Sequence, residues 1–176
     1  MVNYFELYGI EESFNIDEAL VKKKFYELSR QYHPDRFSLA DDDTKAEALK
    51  MSALNNDAYK TLTDEDKRTA YILRTNNQLE EEEKYQLPSD FLMEMMELNE
   101  TVSEWEMDAD DKTLEEQATN AYNTAIKEIN NTLLPLFDQY TAYKGDLSLL
   151  AQVKDLYFRK KYLLRIQERM NTFATR

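Results

Sequence analysis

The only histidine of the chain lies in the tripeptide His33-Pro34-Asp35, where an imidazole, a rigid ring and a carboxylate follow one another. A histidine near a carboxylate could act as a general base that Asp35 orients. Such a base needs a nucleophile or a second reactive group nearby, and the surrounding sequence offers none. X-Pro-Asp is also common turn chemistry, and one histidine without cysteine argues against a metal site. The residues themselves therefore favour a turn over a catalytic site.

A second group of chemically distinctive side chains lies in a predicted helix over 90–107. At 100° per residue its core face spans about 80°, and it carries Phe91, Met95, Leu98, Val102 and Trp105. A second apolar patch on the same helix is bordered by carboxylates. This patch consists of Leu92, Met93 and Met96, and the carboxylates are Glu97, Glu100 and Glu104.

Three explanations of this second patch stay open. Another helix could cover Leu92 and Met96, with the carboxylates forming an ordinary solvated face. Alternatively the patch binds a partner, because methionine adapts its shape and glutamates select a basic protein. Carboxylates on a helix can also hold a di-iron site. That site needs Glu-x-x-His pairs, and residues 76–176 contain no histidine, which disfavours it.

The composition excludes several classes of protein. The 176 residues contain no cysteine, which excludes disulfides, Cys-ligated zinc or iron–sulfur clusters and a Cys nucleophile. Only 2 Gly and 3 Pro argue against a β-sandwich, a β-barrel or a Gly-rich phosphate loop. The net charge of −13 argues against non-specific nucleic-acid binding. The sequence shows neither a membrane span nor a signal peptide, so we expect a cytoplasmic protein.

The pattern predicts an all-α chain with four helices before a polar, acidic join. The second helix begins after Asn15 or Asp17 and ends at Pro34. Its apolar stripe is Val21, Phe25, Leu28 and Tyr32, and its opposite face is Lys22, Lys23, Tyr26 and Arg30. We predict the other three helices over about 3–7, from the end of a loop at 33–43 to Thr63, and over about 65–73.

Three helices are predicted after the join. Pro88 precedes Ser89 and Asp90, which are good N-caps for the first of them. The second covers about 112–143 with Pro135 expected to kink it, and the third covers about 147–173 after the cap Asp146. Short connections indicate an antiparallel three-helix bundle. The sequence thus predicts a first domain at 1–75, a linker at 76–88 and a bundle at 89–176.

The first domain resembles a J-domain. The resemblance rests on the basic helix, the segment Tyr32-His33-Pro34-Asp35-Arg36-Phe37, the following antiparallel helix and a short helix with Arg68 and Tyr71. The opening from Tyr4 to Ile10 is similar to the first J-domain helix. The resemblance implies that the basic face and the tripeptide bind a DnaK-type chaperone and stimulate its ATP hydrolysis. The implied contacts are Lys22, Lys23, Tyr26, Arg30, His33, Pro34, Asp35 and Arg36, where Arg36 replaces a common lysine.

The whole chain is similar to the HscB family of J-domain co-chaperones. The segment from Pro88 to Leu98, followed by Glu100 and Glu104, carries this resemblance, together with the chain length, the linker position and the helix order. It implies an L-shaped molecule whose bundle binds the iron–sulfur scaffold protein IscU, and whose J-domain delivers that scaffold to HscA or another DnaK-type chaperone. The implied scaffold-binding positions are Leu92, Met93, Met96, Glu97, Glu100, Glu104 and, on the last helix, Phe158.

The sequence therefore indicates a co-chaperone, without enzymatic activity, metal or cofactor of its own, that promotes cluster transfer. A J-protein for an unrelated client differs only in the patch at 92–104. A purely structural helical protein, with the tripeptide as a chance turn, is the third possibility.

Overall fold

The computed structural model describes residues 2–174. The predicted domains also include Met1 and residues 175–176, which lie outside the described residues. The described residues form seven α-helices and one 3-10 turn, which confirms the all-α prediction. They divide into two compact units, residues 2–77 and 78–174. None of the described helices is long and apolar enough to cross a membrane.

The first unit contains the four predicted helices and a short turn that the sequence did not reveal. Asp17, rather than Asn15, caps α2, since its side chain accepts the Leu20 N–H at 3.1 Å. Gly9 ends α1 at φ 61°, a conformation that glycine adopts without strain. The elements are α1 (Tyr4–Tyr8), α2 (Glu18–Gln31), a 3-10 turn (Pro34–Phe37), α3 (Asp42–Leu62) and α4 (Glu65–Thr75).

Two buried polar side chains join the helices of this unit. Asn55 of α3 accepts a hydrogen bond from the Tyr8 hydroxyl at 2.9 Å and donates to the Phe25 carbonyl at 3.0 Å, which links α1, α2 and α3. Arg68 of α4 donates to the carbonyls of Phe14 and Leu62. Because buried polar groups are stable only when paired, the Asn55 contacts hold α2 against α1 and α3, and the Arg68 contacts hold α4 to the end of α3 and to the segment before α2.

The second unit is a three-helix arrangement. Its elements are α5 (Ser89–Met107), α6 (Lys112–Ala142) and α7 (Leu147–Ala174). Asp146 caps α7 as predicted, since its carboxylate accepts the Ser148 N–H at 2.8 Å. The helix α6 continues through Pro135, which lies on its exposed side, where solvent can pair with the carbonyl that proline leaves without a donor.

The predicted caps of α5 are wrong. The helix begins at Ser89, so Pro88 occupies the cap position and makes no side-chain hydrogen bond there. Ser89 and Asp90 lie inside the first turn. The Pro88 carbonyl accepts the Leu92 N–H at 3.0 Å, so the first helical hydrogen bond already begins at the proline. The Asp90 carboxylate still stabilises the helix, because its negative charge lies near the positive, N-terminal end of the helix dipole.

The side chain of Arg169 holds α5 against α7. The Arg169 guanidinium binds both Glu106 carboxylate oxygens, with Nε to Oε1 at 2.9 Å. It also donates to the Asn99 side chain at 3.1 Å and to the Ser103 hydroxyl at 2.9 Å. Hydrogen bonding to Glu106 raises the pKa of Arg169 above its ordinary value. Three successive turns of α5 are thus fixed by one side chain of α7.

The acidic segment before α5 packs partly against its own unit. Glu83 pairs with Lys154 of α7 at 2.6 Å. Glu80, Glu81 and Glu82 are exposed, as expected for a solvated run. The division into 1–75, 76–88 and 89–176 stays a prediction.

Candidate partner-binding surfaces

The face of α2 opposite its apolar stripe does not pack against the core. Val21 is fully buried on the inner side, and Phe25, Leu28 and Tyr32 are half-buried. The outer residues are exposed, and they are Lys22, Lys23, Tyr26 and Arg30. The helix therefore carries a positive surface on an acidic chain, an arrangement that steers encounter with an acidic partner.

The tripeptide His33-Pro34-Asp35 lies at the start of the 3-10 turn and is exposed. The His33 Nδ1 accepts the Asp35 backbone N–H at 3.3 Å, and lies 3.6 Å from the Asp35 carboxylate. In a catalytic pair the orienting carboxylate instead accepts a hydrogen bond from an Nδ1 that carries a hydrogen. Because this Nδ1 is an acceptor and both side chains are solvated, the geometry argues against a general base.

The turn is tied to the end of the basic helix. The Arg36 guanidinium donates to the Arg30 carbonyl at 3.3 Å, and the Ser38 hydroxyl donates to the Asp35 carbonyl at 3.1 Å. Arg36 itself is exposed. The Arg36 contact places the turn beside the last turn of α2, which carries Arg30 of the basic face.

The second apolar patch of α5 is open. The exposed fractions of Leu92, Met93 and Met96 are 38%, 68% and 71%, so no helix of residues 2–174 covers them. The five residues of the predicted core face of α5 are all buried. One helix thus has an inner apolar face that builds the core and an outer apolar face in contact with solvent.

The bordering carboxylates are also exposed. Glu97, Glu100 and Glu104 lie on α5, and no cation among residues 2–174 pairs with any of them. An unpaired acidic row beside an apolar patch suits a partner with apolar and basic groups. Residues 2–174 contain no group of three or more His, Cys, Asp or Glu that could hold a metal ion, which argues against the di-iron explanation.

Phe158 lies on α7, apart from the other six predicted scaffold contacts. It is half-buried because its ring stacks on Tyr85 with centroids 4.5 Å apart and planes within 2°. Its neighbour Arg159 places its guanidinium 5.3 Å from the ring centroid of Phe91, which precedes Leu92. The residue that follows Phe158 on α7 therefore contacts the residue that precedes the patch on α5.

Sequence reasoning missed Tyr85. Its hydroxyl donates to the Asp155 carboxylate at 2.8 Å, and the Lys154 ammonium lies 5.8 Å from its ring centroid. Burial, followed by the hydrogen bond to Asp155, raises the pKa of Tyr85 to about 12. A tyrosine within an otherwise charged and polar segment was the signal that could have found it.

Two family models match the chain. A model described as the DnaJ domain matches residues 3–71. A model described as the HSCB C-terminal oligomerisation domain matches residues 87–171. The first match contains the basic helix and the tripeptide, and the second contains α5 and Phe158.

Curated relatives and solved structures agree with these models. A co-chaperone protein HscB homolog of Vibrio cholerae is 31% identical over 158 residues, which are 89% of this chain and 90% of that protein. The human iron-sulfur cluster co-chaperone protein HscB is 30% identical over 96% of this chain and 67% of that protein. The crystal structure of human co-chaperone protein HscB superposes with a TM-score of 0.77 at 27% identity, covering 98% of this chain and 82% of the human chain. The structure of chaperone HscB from Vibrio cholerae gives 0.66 at 26% identity, covering 96% and 99%.

Proposed function

Because the chain belongs to the HscB family of J-domain co-chaperones, we propose that it binds an IscU-type iron–sulfur scaffold and delivers it to a DnaK/HscA-type chaperone. In this proposal it stimulates the ATPase of that chaperone and thereby promotes cluster transfer to acceptor proteins. The name of the human relative supports the iron–sulfur assignment. We place this activity in the cytoplasm.

The observation that carries the scaffold assignment is the open patch of α5. Leu92, Met93 and Met96 offer flexible, exposed apolar side chains, and three exposed glutamates that pair with no cation of residues 2–174 border them. Burying exposed apolar side chains supplies affinity, and the carboxylates select a basic partner and speed encounter. We include Phe158 in the proposed surface, as the one residue of α7 that contacts the scaffold.

The chaperone assignment rests on the first unit. In the proposal the basic face of α2 brings the J-domain to an acidic groove of the chaperone, and the exposed tripeptide makes short, fixed contacts there. Stimulation requires that these contacts be stronger in the hydrolysis-competent state of the chaperone than in its resting state. The co-chaperone raises the local concentration of the scaffold by binding both proteins at once.

The test is the steady-state ATPase of the DnaK/HscA-type chaperone with this protein, with and without the scaffold. We expect the two together to stimulate more than the sum of their separate effects. A His33→Gln variant should lose the stimulation and keep the scaffold affinity, because its site lies in the other unit. Stimulation to which the scaffold adds nothing would leave the J-domain assignment standing and favour a client of another kind.

A further inference from the structure

The segment before α5 holds one face of Phe158. Three contacts join it to α7, namely the ion pair of Glu83 with Lys154, the hydrogen bond of Tyr85 to Asp155 and the stack of Tyr85 on Phe158. The Glu83 and Lys154 side chains are each only 20% exposed, so this pair is partly withdrawn from solvent. The Tyr85 ring is therefore fixed at both its hydroxyl and its face.

The same contacts reach α5. The Asp155 carboxylate that accepts from Tyr85 also accepts from the Arg159 Nε at 2.7 Å. The Arg159 guanidinium then lies over the ring of the buried Phe91. Tyr85 is thus linked directly to Phe158 and, through two side chains of α7, to the first turn of α5, where Leu92 begins the open patch.

We propose that Tyr85 is a positioning residue for scaffold binding, which stacks on Phe158 so that the partner meets a preformed aromatic pair instead of a lone, rotating ring. This inference rests on the proposed scaffold interface. A side chain that is already ordered loses less conformational entropy when a partner binds it. The stack supplies this order because offset aromatic pairs are favourable beyond their buried area.

The chemistry of the pair also indicates what it fits. Two rings that lie parallel at 4.5 Å present a broader apolar edge than a single phenyl group. The Tyr85 hydroxyl is occupied by Asp155, so the pair offers no free donor at that end. We therefore expect the scaffold to cover the pair with an apolar surface that continues the contact made by Leu92.

The experiment compares three variants by calorimetric titration with the IscU-type scaffold. Tyr85→Ala should weaken binding by about 3- to 10-fold, the range that an aromatic pair supplies. Tyr85→Phe keeps the ring and removes only the hydroxyl, so it should retain most of the affinity. Tyr143→Ala removes an exposed ring elsewhere in the same unit and is the matched control, for which no change is expected.

An unchanged or tighter affinity of Tyr85→Ala, with a normal loss on changing Leu92 and Met96, would refute the positioning role and leave the proposed function intact. Equal losses in Tyr85→Ala and Tyr85→Phe would also refute it, because the hydroxyl rather than the stack would then carry the effect. Absence of any scaffold binding by the unmodified protein would overturn the proposed function and this inference together.

A second readout does not need the partner. The aromatic proton resonances of Phe158 report the ring current of a stacked neighbour, so Tyr85→Ala should shift them and Tyr85→Phe should leave them close to their original positions. Thermal melts identify a variant that fails to fold. If the Phe158 resonances do not shift in a folded Tyr85→Ala variant, the stack on which the proposal depends is contradicted.

Discussion

The double variant Leu92→Ala/Met96→Ala tests the open face of α5. The exposed fractions of these side chains, 38% and 71%, set how much further surface a partner can remove from water. Complete burial of one such side chain is worth about 1.5–3 kcal/mol. Scaling by the exposed fractions gives about 1.5–3 kcal/mol for the two together. The scaffold dissociation constant should therefore rise about 10- to 150-fold.

The assay is calorimetric titration with the IscU-type scaffold at one fixed salt concentration. The matched control is Leu134→Ala/Leu147→Ala, which truncates two other leucines of the same unit that are 50% and 61% exposed. The control should bind as the unmodified protein does. All four side chains face solvent, so we expect melting temperatures to stay nearly constant in both variants.

An unchanged dissociation constant for Leu92→Ala/Met96→Ala would refute the assignment of this face as the interface. A loss of the same size in the control would refute the reasoning in another way, because affinity would then follow general apolar exposure instead of a defined patch. Reduced binding together with a lower melting temperature would show that the outer face contributes to folding.

Three further predictions concern charge and burial. Joint substitution of Glu97, Glu100 and Glu104 by glutamine should weaken scaffold binding at low salt by about 1–2 kcal/mol and flatten its salt dependence; an unaltered salt slope in titrations would contradict this. Arg68→Ala should cost about 2–4 kcal/mol in urea unfolding of the first unit, because two buried carbonyls lose their donor; a loss well below this would contradict the pairing. Hydrogen bonding to its lysine partner lowers the pKa of Glu83, so this pair stabilises the second unit fully above the usual glutamate pKa and less as the pH falls through the lowered value. Glu83→Gln has no carboxylate to protonate, so its melting temperature should lack the part of the decrease at low pH that this pair causes. Identical dependence of melting temperature on pH in the variant and the unmodified protein would contradict the prediction.

The faces of α2 and α5 could be predicted because each depends on a local period. Apolar residues three and four positions apart share one side of a helix, whatever lies elsewhere in the chain. The buried stripe of α5 and the exposed Leu92, Met93 and Met96 follow this rule closely. The resemblance then named a use for the outer face, which periodicity alone left open between a covered patch and a partner surface.

The remaining features depend on partners that are distant in the sequence. Tyr85 meets Asp155 across 70 positions, and Tyr8 meets Asn55 across 47. No window of neighbouring residues contains both members of such a pair. The predicted start of α5 was wrong for a different reason. Ser89 and Asp90 have the chemistry of caps, but the Pro88 carbonyl already accepts the Leu92 N–H, so both residues lie inside the first turn.

The fixation of α5 by Arg169 has an evolutionary consequence. Its contacts with Asn99, Ser103 and Glu106 secure the helix without using the open patch. Substitutions at Leu92, Met93 or Met96 can therefore accumulate with little selection against them from folding. Such freedom allows this surface to change together with its partner in one lineage and to stop recognising the partner of another. Recognition can diverge between species while the helical framework that presents it stays the same.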